Sequence, residues 1–336
     1  MAIEISVVMN SFNHEAYISK AIESVLNQTF GNLELIIVDG GSKDKSREII
    51  EAYRAKDERI RTIFHSRNFG IARATNDGIN EAKGKFIAFI DSDDLWKENK
   101  LEKQLEILRK NEDLVVWSDG ELIDGKDNPI DGGFVKLQNA EYKRKSGNIL
   151  KDLLLCNFIF HSSLIVKRKA AANIGVNCQL EYLNDWLFEV ELAEHFDYRF
   201  IKEPLSKYRI HGKNTISRND DYWLKDYILI RRILLDKYKS EMPKGTKAQN
   251  LFHIGQNYAL LNRMKEARQF VAKAIIASYW NNKSPYYLAA FVSRRMLLGQ
   301  FVQPLDSVRS KKLKLKILAK SYLSSHANWA PNKQRK

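Results

Sequence analysis

Three carboxylates follow an apolar run in the first third of the sequence. The run Phe86–Ile90 is rich in aromatic and β-branched residues, which predicts a buried parallel strand, and Asp91, Asp93 and Asp94 come after it. Ligands of open α/β sheets bind beyond the carboxyl ends of the strands. Because clustered carboxylates repel one another, we expect a divalent cation there, Mg²⁺ or Mn²⁺, which would also bind the phosphates of a nucleotide. The alternative is a solvated acidic turn that caps the helix beginning near Lys97.

The elements that must position these carboxylates are strands and helices in alternation. Apolar runs predict strands at Ile5–Met9, Leu33–Val38, Ile60–Phe64 and Phe86–Ile90. Helical periodicity predicts helices over 18–26, 43–55, 71–82 and 97–110. Strands that alternate with helices of about 10–15 residues indicate βαβ units. The sequence therefore predicts an α/β fold with a parallel sheet.

The pattern changes after residue 113. Strands are predicted at 114–117 and 163–166, a hairpin or loop at 124–133, a helical segment at 147–155, an amphipathic helix at 183–196 and an extended segment at 198–210. We expect these elements to lie over the edge of the sheet and to complete a site.

Polar motifs recur where the strands are predicted to end. They are Asn10–Asn13 after the first strand, Asp39–Asp44 after the second, Arg73 and Asn76 on the third helix, and Asp91–Asp94 after the fourth strand. This order and spacing resemble the family 2 glycosyltransferases from about Ile3 to Ser217. The resemblance implies an inverting enzyme that uses a nucleotide-diphosphate sugar. It also implies the GT-A fold, a Rossmann-like, mostly parallel sheet flanked by helices.

The resemblance implies a donor site built from the first motifs. In the family, the residue that matches Asp39 binds the uracil end of a UDP-sugar, and Ser11 and Phe12 would flank the base. Arg73 is a candidate for neutralising phosphate. We therefore expect a nucleotide-sugar donor, and UDP rather than another nucleotide rests on the resemblance alone.

The resemblance also implies a metal site. Asp93 matches the residue that ligates the cation bridging the diphosphate, and Asp91 lies near the ribose or the donor sugar. His211, in a segment that also resembles the family, is a third candidate for contact with the metal or diphosphate. Asp94 is expected to support the others or to cap the next helix. The expected cofactor is Mn²⁺ or Mg²⁺.

One residue is expected to take the proton of the acceptor hydroxyl, because inversion by a single displacement needs one general base. Asp185 matches the family's base, at the start of the predicted helix 183–196. The dipole of that helix lowers the pKa of a carboxylate at its N-terminus, so burial or neighbouring groups must offset this effect. His161 precedes a later strand and is expected to border the acceptor, a glycan or a lipid-linked glycan.

Three positions depart from the family's usual pattern. Gly40 stands where a second Asp is common, Thr75 stands where many members have Arg, and Asn184 stands where an acidic residue usually precedes the base. The first departure removes a carboxylate from the nucleotide loop, and the second weakens the assignment of Arg73 to phosphate.

The length and charge of the chain indicate two regions. With 336 residues, two domains are expected, and residues 209–336 carry 26 Lys and Arg against seven Asp and Glu. We predict a catalytic domain over 1–217, a helical, basic region over 218–326 with one tetratricopeptide-like helix pair, and a disordered tail over 327–336. The predicted amphipathic helix Arg309–Leu323 has the basic and apolar faces of a helix that binds an anionic membrane surface. The alternative is a solvated helix packed on its neighbours. No pattern of base-stacking aromatic residues accompanies its lysines, so nucleic acid is not expected.

Several features bear on the compartment. Cys156 and Cys178 lack metal-ligand spacing and the density of a disulfide scaffold, which predicts reduced thiols. The first predicted strand begins close to Met1, and no apolar run reaches the roughly 18 residues of a membrane-spanning helix. We expect a cytoplasmic enzyme, peripheral on the inner face of the plasma membrane if the basic helix binds lipid.

Two other functions compete with a surface-polysaccharide or lipopolysaccharide transferase. A sugar-nucleotide pyrophosphorylase would have a Gly-rich, basic loop after the first strand, where this chain has Asn10–Asn13. A degenerate transferase that serves as a scaffold would have no physical need for four converging carboxylates. Loss of metal-dependent nucleotide binding in Asp93→Ala would separate a working site from either alternative.

Overall fold

The computed structural model describes residues 2–138, 140–143, 145–212, 214 and 221–279. The described strands form one sheet. They are β1 (Ile5–Ser11), β2 (Leu33–Asp39), β3 (Ile60–Phe64), β4 (Phe86–Asp91), β5 (Leu95–Trp96), β6 (Leu114–Asp124), β7 (Pro129–Gly133), β8 (Ile165–Lys167) and β9 (Asp197–Ile210). Their order is β3-β2-β1-β4-β8-β6-β9-β5, and β7 pairs with β6.

The first half of the sheet has the predicted parallel arrangement. Strands β3, β2, β1 and β4 are all parallel, and β6 is parallel to β9. Strand β8 is antiparallel to both β4 and β6, so it joins the two parallel groups. The prediction of a mostly parallel sheet is confirmed. The segment at 124–133 is a hairpin, in which β6 continues to Asp124 and β7 returns beside it.

Helices cover both faces of this sheet. They are α1 (Ile18–Leu26), α2 (Ser46–Arg54), α3 (Ile71–Glu81), α4 (Lys100–Leu108), α5 (Phe134–Leu137), α6 (Leu150–Leu153), α7 (Arg168–Ile174), α8 (Asn184–His195), α9 (Asp221–Lys237), α10 (Lys244–Leu260) and α11 (Met264–Tyr279). Helix α2 begins three residues later than predicted, because the Asp44 carboxylate accepts hydrogen bonds from the Ser46 and Glu15 amides and holds the preceding segment as a loop.

Alternating side chains of the parallel strands feed two apolar cores. Val8, Ile36 and Phe89 belong to the core beneath α3, α7 and α8, whereas their neighbours Met9 and Ile37 belong to the core beneath α1, α2 and α4. These strands are buried on both faces, which explains why they read as continuous apolar runs. The sheet edge is therefore the place where polar side chains of these strands can reach a ligand.

The helical region packs on the sheet domain. Buried Arg231 of α9 donates to the Leu155 carbonyl at 3.1 Å, and buried Asn250 of α10 donates to the Leu154 carbonyl at 2.9 Å. Helices α10 and α11 pack closely at Gly255, where a Cβ atom would lie 2.7 Å from Val271. This is the predicted helix pair. The predicted basic helix 309–323 and the tail 327–336 lie outside the described residues, and the boundary at 217 stays a prediction.

Within the residues described above, no helix has the length and apolar character needed to cross a bilayer.

Candidate active site

The carboxyl ends of β1, β2 and β4 lie side by side. In the register of the sheet, Ser11 pairs with Asp39 on one side of β1, and Asn10 pairs with Asp91 on the other side. Strands that are parallel and in register end at the same edge, so motifs that are 80 residues apart in the chain become neighbours there. The expected gathering of the first, second and fourth strand ends is confirmed.

Asp39 is buried and held in place by the loop that follows it. Its Oδ1 accepts from the amides of Gly41 (3.1 Å) and Ser42 (2.9 Å), and its Oδ2 accepts from the Ser42 hydroxyl (2.5 Å). The Ser42 hydroxyl in turn accepts from the Asn13 amide at 2.9 Å. This network fixes the carboxylate and ties the loops after β1 and β2 together.

The two glycines of this loop have different requirements, which gives a testable prediction. Gly41 has φ +83°, and a Cβ atom there would lie 2.8 Å from the Arg67 backbone, whereas a Cβ atom on Gly40 would meet its neighbours at 3.5 Å. We expect Gly41→Ala to lower the free energy of unfolding by about 1–3 kcal/mol or more. Gly40→Ala is the matched control and should change it by less than about 1 kcal/mol. Urea denaturation measures both, and equal losses would contradict the assignment.

At the end of β1, two buried polar atoms have no hydrogen-bond partner among the described residues. They are the Oδ1 of Asn10 and the Oγ of Ser11, although the Asn10 amide donates to Thr75 at 2.9 Å. Buried polar atoms are nearly always paired, so unpaired ones at a sheet edge are available to a ligand. Phe12, the next residue, is half-buried and lies beside Gly40.

Asp94 has a structural position within the acidic motif. It is buried, its Oδ2 accepts from the Ser162 hydroxyl at 2.6 Å, and its Oδ1 accepts from the Arg209 amide at 3.1 Å. The guanidinium of Arg209 is also buried, and it donates to the Asp93 carbonyl at 2.7 Å and pairs with Asp127. The positive group that the clustered carboxylates require is therefore supplied partly by the protein itself. Asp94 cross-links the motif to β9 and to the turn before β8, in agreement with its expected supporting role.

Asp93 faces two histidines. His211 Nε2 lies 3.0 Å from Asp93 Oδ2, and His14 Nε2 lies 3.9 Å from the same atom. Burial alone would raise the pKa of Asp93, but the hydrogen bond from His211 and the proximity of His14 bring it below its usual value. Donor atoms of these three residues lie within 4.8 Å of one another, a spacing that fits a single metal ion.

His14 is a residue that sequence reasoning missed. It comes directly after the polar motif Asn10–Asn13, and its Nδ1 lies 2.8 Å from the Ser92 hydroxyl. Its position in the chain, one residue beyond a strand-end motif, was the available signal. The second candidate metal set consists of Asp91, Asp93 and Asp94, but both oxygens of Asp94 already accept hydrogen bonds.

Asp185 and Asp91 act on each other electrostatically, although 94 positions separate them. Burial, then the Asp93 carboxylate, raise the pKa of Asp91 to about 7. Burial, then the Glu189 carboxyl group, raise the pKa of Asp185 to about 7. His161 lies near both carboxylates and lowers the pKa of each. The site thus brings together the predicted metal motif, the predicted base and His161.

Arg73 lies apart from these contacts. Its guanidinium pairs with Asp77 on its own helix at 2.9 Å, and 62% of its side chain is exposed. No hydrogen bond or ion pair joins it to Asp91 or Asp93 among the described residues, so its phosphate contact stays a prediction. Thr75, two residues after Arg73 on α3, accepts a hydrogen bond from the side-chain amide of Asn10 at the end of β1.

Comparisons with known proteins agree with this architecture. The family model "Glycosyl transferase family 2" matches residues 6–173. The chain is 33% identical over 232 residues to the glycosyltransferase MJ1057 of Methanocaldococcus jannaschii, covering 68% of this chain and 78% of that protein. It is 39% identical over 140 residues to Escherichia coli WfgD, covering 42% of this chain and about half (54%) of WfgD. WfgD is named a UDP-Glc:alpha-D-GlcNAc-diphosphoundecaprenol beta-1,3-glucosyltransferase.

Two solved structures share the fold. Residues 1–349 of S. aureus TarS, in complex with UDP-GlcNAc, give a TM-score of 0.60 at 17% identity, covering 82% of this chain and 81% of that one. The mannosyltransferase PcManGT of Pyrobaculum calidifontis, in complex with GDP-Man and Mn²⁺, gives 0.52 at 16% identity, covering 96% and 86%. The chain belongs to glycosyl transferase family 2 and is a glycosyltransferase with a GT-A-like fold, which confirms the predicted family and fold class.

Proposed function

We propose that this chain is a metal-dependent, inverting glycosyltransferase that moves a sugar from a nucleotide-diphosphate donor, a UDP-sugar, to a glycan or lipid-linked acceptor. The observation that carries the proposal is the convergence of Asp91, Asp93 and Asp185 at one sheet edge, with the pKa of Asp91 and that of Asp185 each raised to about 7. Perturbed carboxyl groups that converge in this way are typical of catalytic sites.

The donor nucleotide is assigned to the ends of β1 and β2. Asp39 is oriented by its loop, and an oriented carboxylate can accept from the N–H of a uracil ring. Ser11 has a free, buried hydroxyl beside it, and Phe12 offers a ring to the base. The complex of TarS with UDP-GlcNAc and the name of WfgD support a UDP-sugar.

A cation is assigned to Asp93, His211 and Asp91. The donor atoms of Asp93, His211 and His14 lie within 4.8 Å of one another, a spacing that fits a divalent ion, and Asp91 is grouped with Asp93 in the second, carboxylate set. Imidazole favours Mn²⁺ over Mg²⁺, because Mg²⁺ strongly prefers oxygen ligands. When bound, the ion would neutralise the charge of the leaving diphosphate. The protein's own part is to hold these side chains in place, through Arg209 and Asp94.

Asp185 is assigned as the general base. It lies in the first turn of α8, where the helix dipole favours the ionised carboxylate, but burial outweighs the dipole and raises the pKa to about 7. A base with a pKa near the working pH combines adequate basicity with a large ionised fraction. Asp185 would take the proton from the acceptor hydroxyl while that oxygen attacks the anomeric carbon from the face opposite to the diphosphate.

The lipid-linked acceptor and the attachment to a membrane surface are proposed on other grounds. The name of WfgD supports a lipid-linked acceptor, and with such an acceptor the proposed role is surface-polysaccharide or lipopolysaccharide synthesis. The excess of positive charge in residues 209–336 supports a place on the anionic inner face of the plasma membrane. Sedimentation of the full chain with anionic vesicles at low salt tests that placement, and failure to sediment would remove it.

A donor screen tests the proposed function. Purified enzyme is incubated with UDP-, GDP- and other nucleotide sugars, with Mn²⁺, Mg²⁺ or EDTA, and released nucleotide diphosphate is measured. We expect slow hydrolysis of at least one UDP-sugar, abolished by EDTA and restored best by Mn²⁺. Absence of nucleotide release and of UDP binding with every metal would favour the degenerate scaffold instead.

A further inference from the structure

An ionisable residue lies in the interior of the catalytic domain behind the base. Glu189 is on α8, one helical turn after Asp185, and its side chain has no exposed surface. Its neighbours on the helix, Phe188 and Val190, are apolar core residues. A buried carboxyl group is rarely retained in a core without a partner, so its contacts are informative.

The Glu189 carboxyl group contacts the imidazole of His161. Glu189 Oε1 lies 3.2 Å from His161 Nδ1, whereas Oε2 has no hydrogen-bond partner that meets normal geometry. Asn157 lies between the two acids of the helix. Its side-chain amide donates to Asp185 Oδ2 at 3.3 Å, and its interaction with the Glu189 side chain opposes, without outweighing, the effect of burial on the pKa of Glu189. Within the described residues, no Lys or Arg forms an ion pair with Glu189. An ionised Glu189 would thus be a buried charge without a counter-ion other than His161.

The surroundings of His161 also favour uncharged groups. Its ring lies against that of Phe89, tilted by 33° with 4.7 Å between centroids, and contacts Phe188 edge-on. Burial lowers the pKa of His161, and burial raises the pKa of Glu189 well above its usual value. Both effects disfavour an imidazolium–carboxylate pair and favour a neutral acid beside a neutral imidazole.

We propose that Glu189 is a neutral carboxylic acid that donates its proton to His161 Nδ1, and so places the imidazole proton on Nε2. In this arrangement His161 is a hydrogen-bond donor at its other nitrogen. The carboxylates that act on the ring are Asp185 and Asp91, on the side of the active site. Glu189 is therefore a positioning residue, and this part of the inference rests on the proposed role of Asp185.

The arrangement has a physical benefit for catalysis. If Glu189 were ionised, it would add a negative charge one turn from Asp185, which already shares the site with Asp91 and has a pKa raised to about 7. A neutral Glu189 keeps the charge low while it fixes the orientation of His161. The Nε2–H group can then donate a hydrogen bond to a carboxylate or an acceptor hydroxyl. A ring that exchanged between its two tautomers would not offer this donor at all times.

Two substitutions at Glu189 separate a neutral donor from an ionised acceptor. Gln has the same shape and carries an N–H that donates to Nδ1, so Glu189→Gln should retain kcat within about threefold. Leu fits the apolar surroundings but cannot donate, so Glu189→Leu should lower kcat by about 10- to 100-fold with unchanged UDP affinity. Glu191→Gln is the matched control and should behave as wild type, because Glu191, on the same helix, is half-buried and pairs with Lys237 rather than with His161.

The tautomer is read directly by NMR, without turnover. In ¹⁵N-histidine-labelled enzyme, with the signal assigned by its loss in His161→Gln, we expect protonated Nε2 and unprotonated Nδ1 at neutral pH. The pattern should persist in Glu189→Gln and become mixed in Glu189→Leu. A proton on Nδ1 in the wild type, or equal loss of kcat in the Gln and Leu variants, would overturn the proposal. Because the NMR result needs no substrate, it stands even if the donor screen contradicts the proposed function.

Discussion

We expect Asp185→Asn to lower kcat for sugar transfer by about 10²- to 10⁴-fold, the range for loss of the general base proposed above. Asn has the shape of Asp and can still contact Asn157, but it cannot accept the proton of the acceptor hydroxyl. UDP affinity should stay within about twofold, because the nucleotide is assigned to the ends of β1 and β2. Calorimetry with UDP and Mn²⁺, beside a transfer assay with the donor found by the screen, measures both quantities.

The pH dependence of the wild-type enzyme accompanies this test. Asp185 must be ionised to act as base, and its pKa is raised to about 7. The rate should therefore rise with pH up to about 7 and level off above it, and the residual rate of Asp185→Asn should lack this limb. A variant that keeps the limb and most of its activity would show that another group takes the proton.

Stability provides the control for this variant. The pKa of Asp185 is higher in the folded protein than the usual value of about 3.9 in an unfolded chain, so the folded state binds the proton more tightly. Ionisation of this group then costs folding free energy as the pH rises from about 4 to about 7. Since Asn removes that cost, the variant should unfold at a temperature no lower than that of the wild type at pH 7.5.

Much of the site could be predicted because it depends on local pattern. Apolar runs mark the strands, and parallel strands must end at a common edge, so Asp39 and Asp91 had to become neighbours of the residues that end β1. These predictions need only the period of the sequence and the rule that ligands bind at the carboxyl edge of the strands. Periodicity also predicted the helix that begins near Asp185, but the choice of Asp185 as base came from the resemblance to the family.

The remaining features depend on contacts that no local pattern reveals. Arg209 reaches Asp94 across 115 positions of the chain, and its buried guanidinium reads in the sequence as an ordinary surface charge. Glu189 looks like a solvated residue of a helix, yet it is fully buried against His161. Arg73 shows the reverse, since a residue near a predicted motif is engaged with Asp77 of its own helix. Tertiary packing determines which face of a helix is buried, and the sequence of the helix alone does not reveal it.

The second large prediction concerns the proposed metal ligands. We expect Asp93→Ala to abolish metal-dependent nucleotide binding. Removal of one ligand should lower the affinity for Mn²⁺ by about 100-fold or more. Loss of a residue that merely hydrogen-bonds to a metal ligand already lowers metal affinity by about 10–100-fold. Because UDP is bound through the ion, the affinity for UDP should fall as well, and sugar transfer should fall below detection. Titration of UDP in the presence of Mn²⁺, and of Mn²⁺ alone by electron paramagnetic resonance, measures the two effects separately.

Two control variants make the Asp93→Ala result specific. Asp113→Ala, at an exposed ion pair with Lys167, should leave metal and nucleotide binding unchanged. Asp94→Asn should lower the thermal stability, since it disturbs the acceptor of the Ser162 and Arg209 hydrogen bonds, but should retain Mn²⁺ binding more fully than Asp93→Ala does. Equal retention of Mn²⁺-dependent UDP binding by Asp93→Ala and Asp113→Ala would move the cation away from this motif. The two histidines beside Asp93 would then serve the fold rather than the donor.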